Sequence, residues 1–136
     1  MHMSTRLLPL LVLITGLMGC QAPFLVFNGG ALAGPEAEAA SFAFAADYNL
    51  LRLEVRPEKP YSVILRVVVH DGQLYIDAAQ RRRWHTYLQQ DPRVRVRLGD
   101  TVYPATAVVV EDPEIRSRFL AGRTIYKIVP RTAAAT

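Results

Sequence analysis

Short runs of alternating apolar and charged residues make up most of the chain beyond residue 50. In residues 50–56 leucine and valine alternate with arginine and glutamate, and this period of two predicts a strand with one buried and one solvated face. Residues 61–70 are apolar almost without interruption, which predicts a central strand covered on both faces. Similar runs complete a prediction of six strands, the other four being 73–78, 93–98, 101–111 and 123–131.

Turn and helix signals separate these strands. The Asp-Gly pair at 71–72 is a strong signal for a two-residue hairpin between the second and third strands. Trp84, Tyr87 and Leu88 have helical spacing, so residues 82–90 are predicted to form a short amphipathic helix.

A second helix is predicted at residues 113–121, where Asp112 is placed to cap the N-terminus and Pro113 occupies the first helical position. Pro104 has no N–H group, which predicts a sheet edge or a bulge in its strand. Six strands joined mainly by hairpins, with two short helices, indicate a mainly β domain. The expected architecture is a small antiparallel barrel whose open ends are covered by the helices.

The first twenty residues have the pattern of an export signal. A short segment with Arg6 precedes an apolar run at residues 7–18, which is shorter than the roughly 20 residues that a membrane span requires. The sequence LMGC, ending at Cys20, resembles the lipobox of bacterial lipoproteins. This resemblance implies that residues 1–19 are a signal peptide, that Cys20 is lipidated, and that the protein is anchored to a membrane of the cell envelope. In a cell with two membranes Gln21 favours the outer membrane, facing the periplasm.

Residues 20–46 are rich in alanine, glycine and proline and are predicted to be a linker that begins at the lipidated cysteine. The phenylalanines of this stretch are expected either to pack back onto the domain or to lie near the lipid. A single β-barrel domain is predicted at residues 47–131, followed by a tail at 132–136.

Charge and residue inventory exclude several classes of function. The formal net charge is +4, and loss of Arg6 with the signal lowers it to +3, so no nucleic-acid partner is expected. Cys20 is the only cysteine, and its acylation leaves no thiol for a disulfide, a nucleophile or a metal. His70 and His85 are predicted to lie at the surface, and no metal site is predicted. No motif indicates a hydrolase.

Arginines concentrate in two stretches of the chain. Arg81, Arg82 and Arg83 precede the first predicted helix, at the end where the helix dipole already places positive charge. Two interpretations stay open: a site for a phosphate or carboxylate, or a solvated loop that pairs with Asp77 or with lipid head groups. The arginines of residues 93–98 share one face of a strand and are predicted to be solvated.

The order of the elements resembles the FMN-binding split β-barrel superfamily, the pyridoxamine 5'-phosphate oxidase-like fold. The resemblance rests on LRLEVRPEKPYSVILRVVVHDGQLYIDAAQ followed by RRRWHTYLQQDPRVRVRLGDTVYPATAVVVEDPE. It implies a six-stranded antiparallel split β-barrel. A Gly-Gly-x-Leu-x-Gly segment ahead of the barrel also resembles a group of uncharacterised proteins, through Gly29, Gly30, Leu32 and Gly34.

The same resemblance implies a flavin site at the interface of a homodimer. Basic side chains of the second strand and of the loop before the first helix would hold the FMN phosphate, and an aromatic ring would line the pocket. The residues that it indicates are Arg66, Arg81, Arg82, Arg83, Trp84 and His85.

Two functions are therefore expected as alternatives. One is a membrane-anchored lipoprotein whose split barrel binds FMN or another small anionic ligand, with a flavin-dependent oxidoreductase role if it is an enzyme. The other is a cofactor-free structural or protein-interaction module of the cell envelope.

Overall fold

The structure, a computed structural model, describes residues 29–132. These residues form seven strands and three short helices. This organisation confirms the mainly β prediction. Among these residues no helix is both long and apolar enough to cross a membrane. The helices are a 3-10 helix at Ala43–Asp47, α1 at Arg83–Gln90 and α2 at Pro113–Arg116. Strands β1 to β7 are Leu50–Val55, Tyr61–Arg66, Val68–His70, Gln73–Ala78, Arg93–Leu98, Thr101–Val109 and Thr124–Pro130.

All seven strands belong to one antiparallel sheet in the order β2-β1-β5-β6-β7-β4-β3. β2 and β3 lie at opposite ends of this order, yet only Val67 separates them along the chain. Because two residues of backbone span at most roughly 7 Å, the sheet must curl until its two edges meet at Val67. This meeting point is called the seam below.

The prediction of a central strand at residues 61–70 is wrong. The apolar run is divided between β2 and β3, and both are edge strands. Its alternate residues, among them Leu65, Val67 and Val69, are partly buried and pack against the core. The run is apolar because it borders the core from both edges of a curled sheet, not because it is enclosed.

The turn signals of the sequence are confirmed and the second helix is shorter than predicted. Asp71 and Gly72 have φ values of 48° and 71°, and two consecutive positive φ angles are what a two-residue hairpin turn requires. The side chain of Asp112 caps α2 as predicted, since its Oδ1 accepts a hydrogen bond from the Glu114 N–H at 2.9 Å. α2 nevertheless ends at Arg116, so the predicted extent is wrong.

Pro104 lies in β6, which is paired on both sides, and the predicted sheet edge is therefore wrong. Its carbonyl accepts a hydrogen bond from the Arg131 N–H at 3.1 Å, one residue beyond the end of β7. The nitrogen of Pro104, which has no hydrogen to donate, thus faces the point where the β6–β7 ladder ends. The sheet tolerates the proline because few further bonds could form there.

The core lies inside the curled sheet and is almost entirely apolar. Leu53, Val96 and Ile76 are fully excluded from solvent, and each such side chain contributes about 1.5–3 kcal/mol through burial. Phe42, from the predicted linker, is only 2% exposed, and its ring meets Tyr103 edge-on with 6.0 Å between centroids. The core therefore extends beyond the predicted domain on its N-terminal side.

Residues 29–37, which belong to the predicted linker, lie against the sheet. Gly29 exchanges two backbone hydrogen bonds with Ser62 of β2, at 2.7 and 3.1 Å. Farther along, the Val102 N–H donates to the Pro35 carbonyl at 2.9 Å. The domain boundaries themselves stay a prediction, but the described part of the linker is bonded to the barrel.

A buried ion pair holds this segment in place. The carboxylate of Glu54, a residue only 5% exposed, accepts hydrogen bonds from Arg95 Nε at 2.9 Å and Arg95 Nη2 at 2.8 Å. The same carboxylate accepts from the Leu32 N–H at 2.7 Å, and Arg95 also pairs with Glu36. Leu32, Glu36, Glu54 and Arg95 are called the clasp below. The prediction that the arginines of residues 93–98 are only solvated is wrong for Arg95.

Gly34 shows why a glycine follows the clasp. Its φ is 134°, and a Cβ atom at this position would lie 2.5 Å from the carbonyl oxygen of Asp100. Any side chain there would push the segment away from the β5–β6 turn. The Gly-Gly-x-Leu-x-Gly pattern thus includes a buried Leu32 and a glycine in close contact with backbone.

Candidate functional site

A cleft of about 660 Å³ opens beside the seam, between β2 and the end of β4. β3 pairs with β4 only as far as Val68 opposite Tyr75, so within residues 29–132 no strand pairs with residues 76–78 of β4 on that side. β2 forms one wall of the cleft with Tyr61, Val63, Ile64 and Leu65. Around the remainder lie Asp77, Ala79, Arg81, Arg82, Arg83, Trp84 and Arg123.

Positive charge dominates the charged groups of the cleft. Arg81, Arg82 and Arg83 are exposed, and no side chain within residues 29–132 forms an ion pair with any of them. Asp77 is the only carboxylate among the described residues of the lining, and it pairs with Arg123 across 3.5 Å. Three guanidinium groups in the cleft are therefore left without a counter-ion from the described part of the chain.

The N-terminus of α1 adds to this positive potential. Arg82 is the N-cap residue, its side chain makes no capping hydrogen bond, and the first turn of the helix contains no acidic residue. The first N–H groups of a helix lack partners within the helix and carry partial positive charge. An oxyanion in the cleft would therefore meet both N–H groups and guanidinium groups.

The loop that carries the arginines is held in an unusual conformation. Arg81 has a φ of 64°, in the left-handed region that costs a residue with a Cβ atom about 1 kcal/mol. Next to it, Gln80 Nε2 donates to the Gly122 carbonyl and to Thr124 Oγ1, both at 3.3 Å. These bonds tie the loop to the start of β7, close to Arg123.

β2 contributes apolar and aromatic side chains to the cleft lining, and Tyr61 also contacts residues outside the cleft. The ring of Tyr61 contacts Tyr87 of α1 with 5.6 Å between centroids, and the guanidinium of Arg56 lies 3.8 Å from the centre of the Tyr87 ring. Trp84 is 7% exposed and joins the core while bordering the cleft. A planar ligand would therefore find an apolar surface within reach of the charged loop.

His85 belongs to the core and not to the cleft. It is 2% exposed, and its Nε2 lies 2.8 Å from the hydroxyl oxygen of Tyr126. Burial lowers the pKa of His85 below its usual value, and a hydrogen bond with the backbone of Ala79 offsets part of that effect. Burial likewise raises the pKa of Tyr126. The prediction that His85 lies at the surface is wrong, and its ring does not line the cleft.

Of the other residues that the sequence indicates for a ligand site, one lies outside the cleft and four line it. Arg66 is exposed at the end of β2, opposite Leu50 of β1, and lies outside the cleft lining. Arg81, Arg82, Arg83 and Trp84 are brought together there.

Sequence reasoning missed Arg123 and Tyr61. Arg123 lies next to Asp77 because β7 pairs with β4, an adjacency that no local pattern encodes. Among residues 29–132 no three His, Cys, Asp or Glu side chains are grouped as metal ligands would be.

Comparisons with known proteins address the fold. No protein-family profile matches the chain, and no curated protein matches it. A candidate pyridoxamine 5'-phosphate oxidase from Listeria innocua is similar in structure, with a TM-score of 0.56, 20% identity, and coverage of 66% of this chain and 90% of that one. General stress protein 26 from Bacillus anthracis gives a TM-score of 0.54 and 20% identity, over 65% of this chain and 85% of that one.

A FAD-binding protein from Mesorhizobium loti is also similar, with a TM-score of 0.51 and 17% identity over 66% of this chain and 84% of that one. At these identities the likeness shows the fold alone. It confirms the predicted pyridoxamine 5'-phosphate oxidase-like split barrel, with seven strands instead of six.

Proposed function

We propose that this split-barrel domain binds a small phosphate-bearing ligand in the cleft, and that the ligand is FMN. One observation carries the proposal: Arg81, Arg82 and Arg83 lie at an uncapped helix N-terminus, and no residue of 29–132 supplies a counter-ion to them. Three unpaired cations beside a positive helix end are unfavourable, and a phosphate reverses the sign of that interaction. Similarity to a FAD-binding protein supports a flavin as the class of ligand.

The residues present fit such a ligand. Guanidinium forks bind phosphate oxygens through paired hydrogen bonds, and Arg82 and Arg83 are adjacent to the helix N-terminus. Tyr61, Leu65 and Trp84 offer an apolar surface for a planar ring system. The cleft volume of about 660 Å³ lies within the range of roughly 300–1,000 Å³ typical of small-molecule sites.

Each part of the cleft would have a separate task. Arg82 and Arg83 would hold the phosphate, while the Gln80 contacts with β7 would keep their loop in position. Asp77 would keep Arg123 oriented and would repel a second anion. A bound flavin would supply redox chemistry, and the chain would bind and orient it.

FMN binding to the purified protein tests the proposal. Replacing Arg82 and Arg83 together by alanine should weaken FMN binding about 100-fold, because each lost charge-assisted hydrogen bond costs about 1.5 kcal/mol or more. Replacing Arg116 and Arg118, two exposed arginines outside the cleft, is the matched control and should leave the affinity unchanged. Fluorescence quenching of FMN gives the dissociation constant.

Riboflavin, which lacks the phosphate, separates the two halves of the proposed site. It should bind the native protein and the Arg82→Ala/Arg83→Ala variant equally, and more weakly than FMN binds the native protein. Protein that binds neither flavin, and gains no thermal stability from either, would contradict the proposal and favour a cofactor-free interaction module.

The proposed setting is a membrane of the cell envelope. Cys20, which lies outside the described residues, would carry the acyl chains, and the protein would face the periplasm from the outer membrane of a cell with two membranes. Replacing Cys20 by alanine should move the protein from the membrane to the soluble fraction, and continued sedimentation with membranes would contradict the anchor. A homodimer is part of the same proposal, and sedimentation equilibrium of the acyl-free protein tests it.

A further inference from the structure

The cleft loop, residues 79–82, and the first turn of α1 are tied to β7 at two points. Near the start of the loop, Gln80 Nε2 donates a hydrogen bond to Thr124 Oγ1 at 3.3 Å. In the first turn of α1, His85 Nε2 lies 2.8 Å from the hydroxyl oxygen of Tyr126. Gln80 and His85 stand on either side of the three cleft arginines in the chain.

The two ties start from neighbouring points on one strand. Thr124 and Tyr126 are alternate residues of β7, so their side chains leave the same face of the strand, about 7 Å apart along it. β7 itself is paired on both sides, with β6 and with β4. The segment that carries the arginines is therefore held at both of its ends by a strand from inside the sheet.

The bond between His85 and Tyr126 is enclosed, whereas the bonds of Gln80 are exposed. His85 is 2% exposed and Tyr126 is 4% exposed, and their rings meet edge-on with 5.6 Å between centroids. A buried polar atom that loses its partner is costly, because water does not reach it in place of that partner. Loss of the Tyr126 hydroxyl would therefore favour movement of the first turn of α1 toward water or another partner.

We infer that Tyr126 and His85 are positioning residues for the arginines of the cleft, and the effect on binding rests on the proposed function. Neither side chain lines the cleft, so both would act through the first turn of α1. That turn begins with Arg83 and presents the helix N–H groups, so its displacement moves both away from a bound phosphate. A binding site keeps its affinity only while the residues behind it hold its groups within about 0.5 Å of their places.

The affinities for two flavins test the inference. Tyr126→Phe keeps the ring and removes the hydroxyl, and it should weaken FMN binding about tenfold through the phosphate. Riboflavin, which lacks the phosphate, should lose no more than about twofold, because the apolar side chains of β2 stay in place. Tyr103→Phe is the matched control, since this ring packs against Phe42 outside the cleft lining, and it should leave both affinities unchanged. An unchanged FMN affinity in Tyr126→Phe, or an equal loss for both flavins, would overturn the inference.

Two substitutions of His85 separate positioning from a general loss of stability. The glutamine amide is attached at Cδ, so its oxygen can occupy the place of Nε2 and accept from the Tyr126 hydroxyl. The asparagine amide is attached at Cγ and falls short of it. His85→Gln should therefore keep the ratio of FMN to riboflavin affinity within about twofold of the native ratio, whereas His85→Asn should lower it about as much as Tyr126→Phe does. Equal ratios in the glutamine and asparagine variants would contradict a positioning role.

Amide hydrogen exchange follows the first turn of α1 without any ligand. The His85 and Thr86 amides donate to the Arg82 carbonyl at 3.1 and 3.2 Å. In Tyr126→Phe both should exchange at least about fivefold faster relative to the Val96 amide of β5, which reports global unfolding. Unchanged relative rates would overturn the inference whether or not a flavin binds.

The two measurements also distinguish the possible failures. Native protein that binds no FMN would overturn the proposed function, and the exchange rates alone would then decide whether Tyr126 and His85 position the arginines. Native protein that binds FMN, with the same affinity in Tyr126→Phe, would overturn the positioning role and leave the proposed function standing.

Discussion

The two groups of arginines, Arg81 to Arg83 in the cleft and Arg95 in the clasp, lie only a helix apart in the chain and serve opposite purposes. Arg95 is three-quarters buried and meets two carboxylates and a carbonyl from other parts of the fold. The cleft arginines are exposed and meet no carboxylate within the described residues. In the sequence both stretches are rich in arginine, but only Arg81 to Arg83 lie at the start of a predicted helix.

The difference between the groups is whether the fold itself neutralises the charge. A buried guanidinium that is fully bonded to the protein is committed to stability, because any loss of its partners leaves an uncompensated charge. A guanidinium that the fold leaves without partners, beside a helix end of the same sign, costs stability and is available to a ligand. Stability and binding measurements should therefore respond in opposite ways to changes in the two groups.

The largest change in the free energy of unfolding is expected from a substitution in the clasp. Arg95→Ala should lower the free energy of unfolding by about 3 kcal/mol, because it leaves the buried Glu54 carboxylate without its cation. Arg93→Ala should have a much smaller effect, because Arg93 is exposed and its ion pair within residues 29–132 is with the nearby Asp91. Urea unfolding measures the free energy of unfolding of each variant. Arg82→Ala, in the cleft, should not lower it. A loss from Arg82→Ala equal to that from Arg95→Ala would remove the distinction between the groups.

A smaller change in the free energy of unfolding is expected from substitutions at the strained backbone position of the cleft loop, Arg81. Arg81→Gly should raise the free energy of unfolding by about 0.5–1 kcal/mol relative to Arg81→Ala, since glycine accepts a positive φ and alanine does not. Both variants remove the charge, so their difference isolates the backbone. An alanine variant as stable as the glycine variant would mean that the loop relaxes and stores no strain.

The smallest expected effect is a loss of stability at acid pH that comes from His85, which lies behind the cleft. Its pKa is below the unfolded value of 6.5, so the unfolded chain takes up a proton first as the pH falls. The stability that the neutral ring contributes is fully present above about pH 6.5 and is lost below it. His85→Gln should flatten the dependence of urea stability on pH between about pH 7.5 and about pH 5.5. An unchanged slope in His85→Gln would show that other groups govern the acid response.

Local patterns were sufficient for most strands because alternation reports which face of a strand is buried. They placed β4 and β5 correctly, at 73–78 and 93–98. They failed at Val67, because the interruption there comes from the curling of the whole sheet. Two edge strands that border a core from opposite sides have the same continuous apolar sequence as a single enclosed strand, so the sequence does not distinguish them.

The candidate site was predictable in part for a similar reason. Arg81 to Arg83 are adjacent in sequence, so their clustering was visible, while the approach of Arg123 depends on the pairing of β7 with β4. The pairing of Arg95 with Glu54 depends on the pairing of β1 with β5. His85 carried a signal that was passed over, since it lies three residues before the buried Leu88 and so shares the inner face of α1.

The clasp also has a mechanical consequence. Among the described residues, tension from the N-terminal side is borne first by the bridge between Gly29 and Ser62 and then by the clasp, before it reaches β1. Those bonds join the segment to β2, β1 and β5, so the load spreads over several strands instead of peeling one strand from the sheet. A side chain at position 34 would collide with the Asp100 carbonyl oxygen, so Gly34 lets the segment stay against the strands that bear this load.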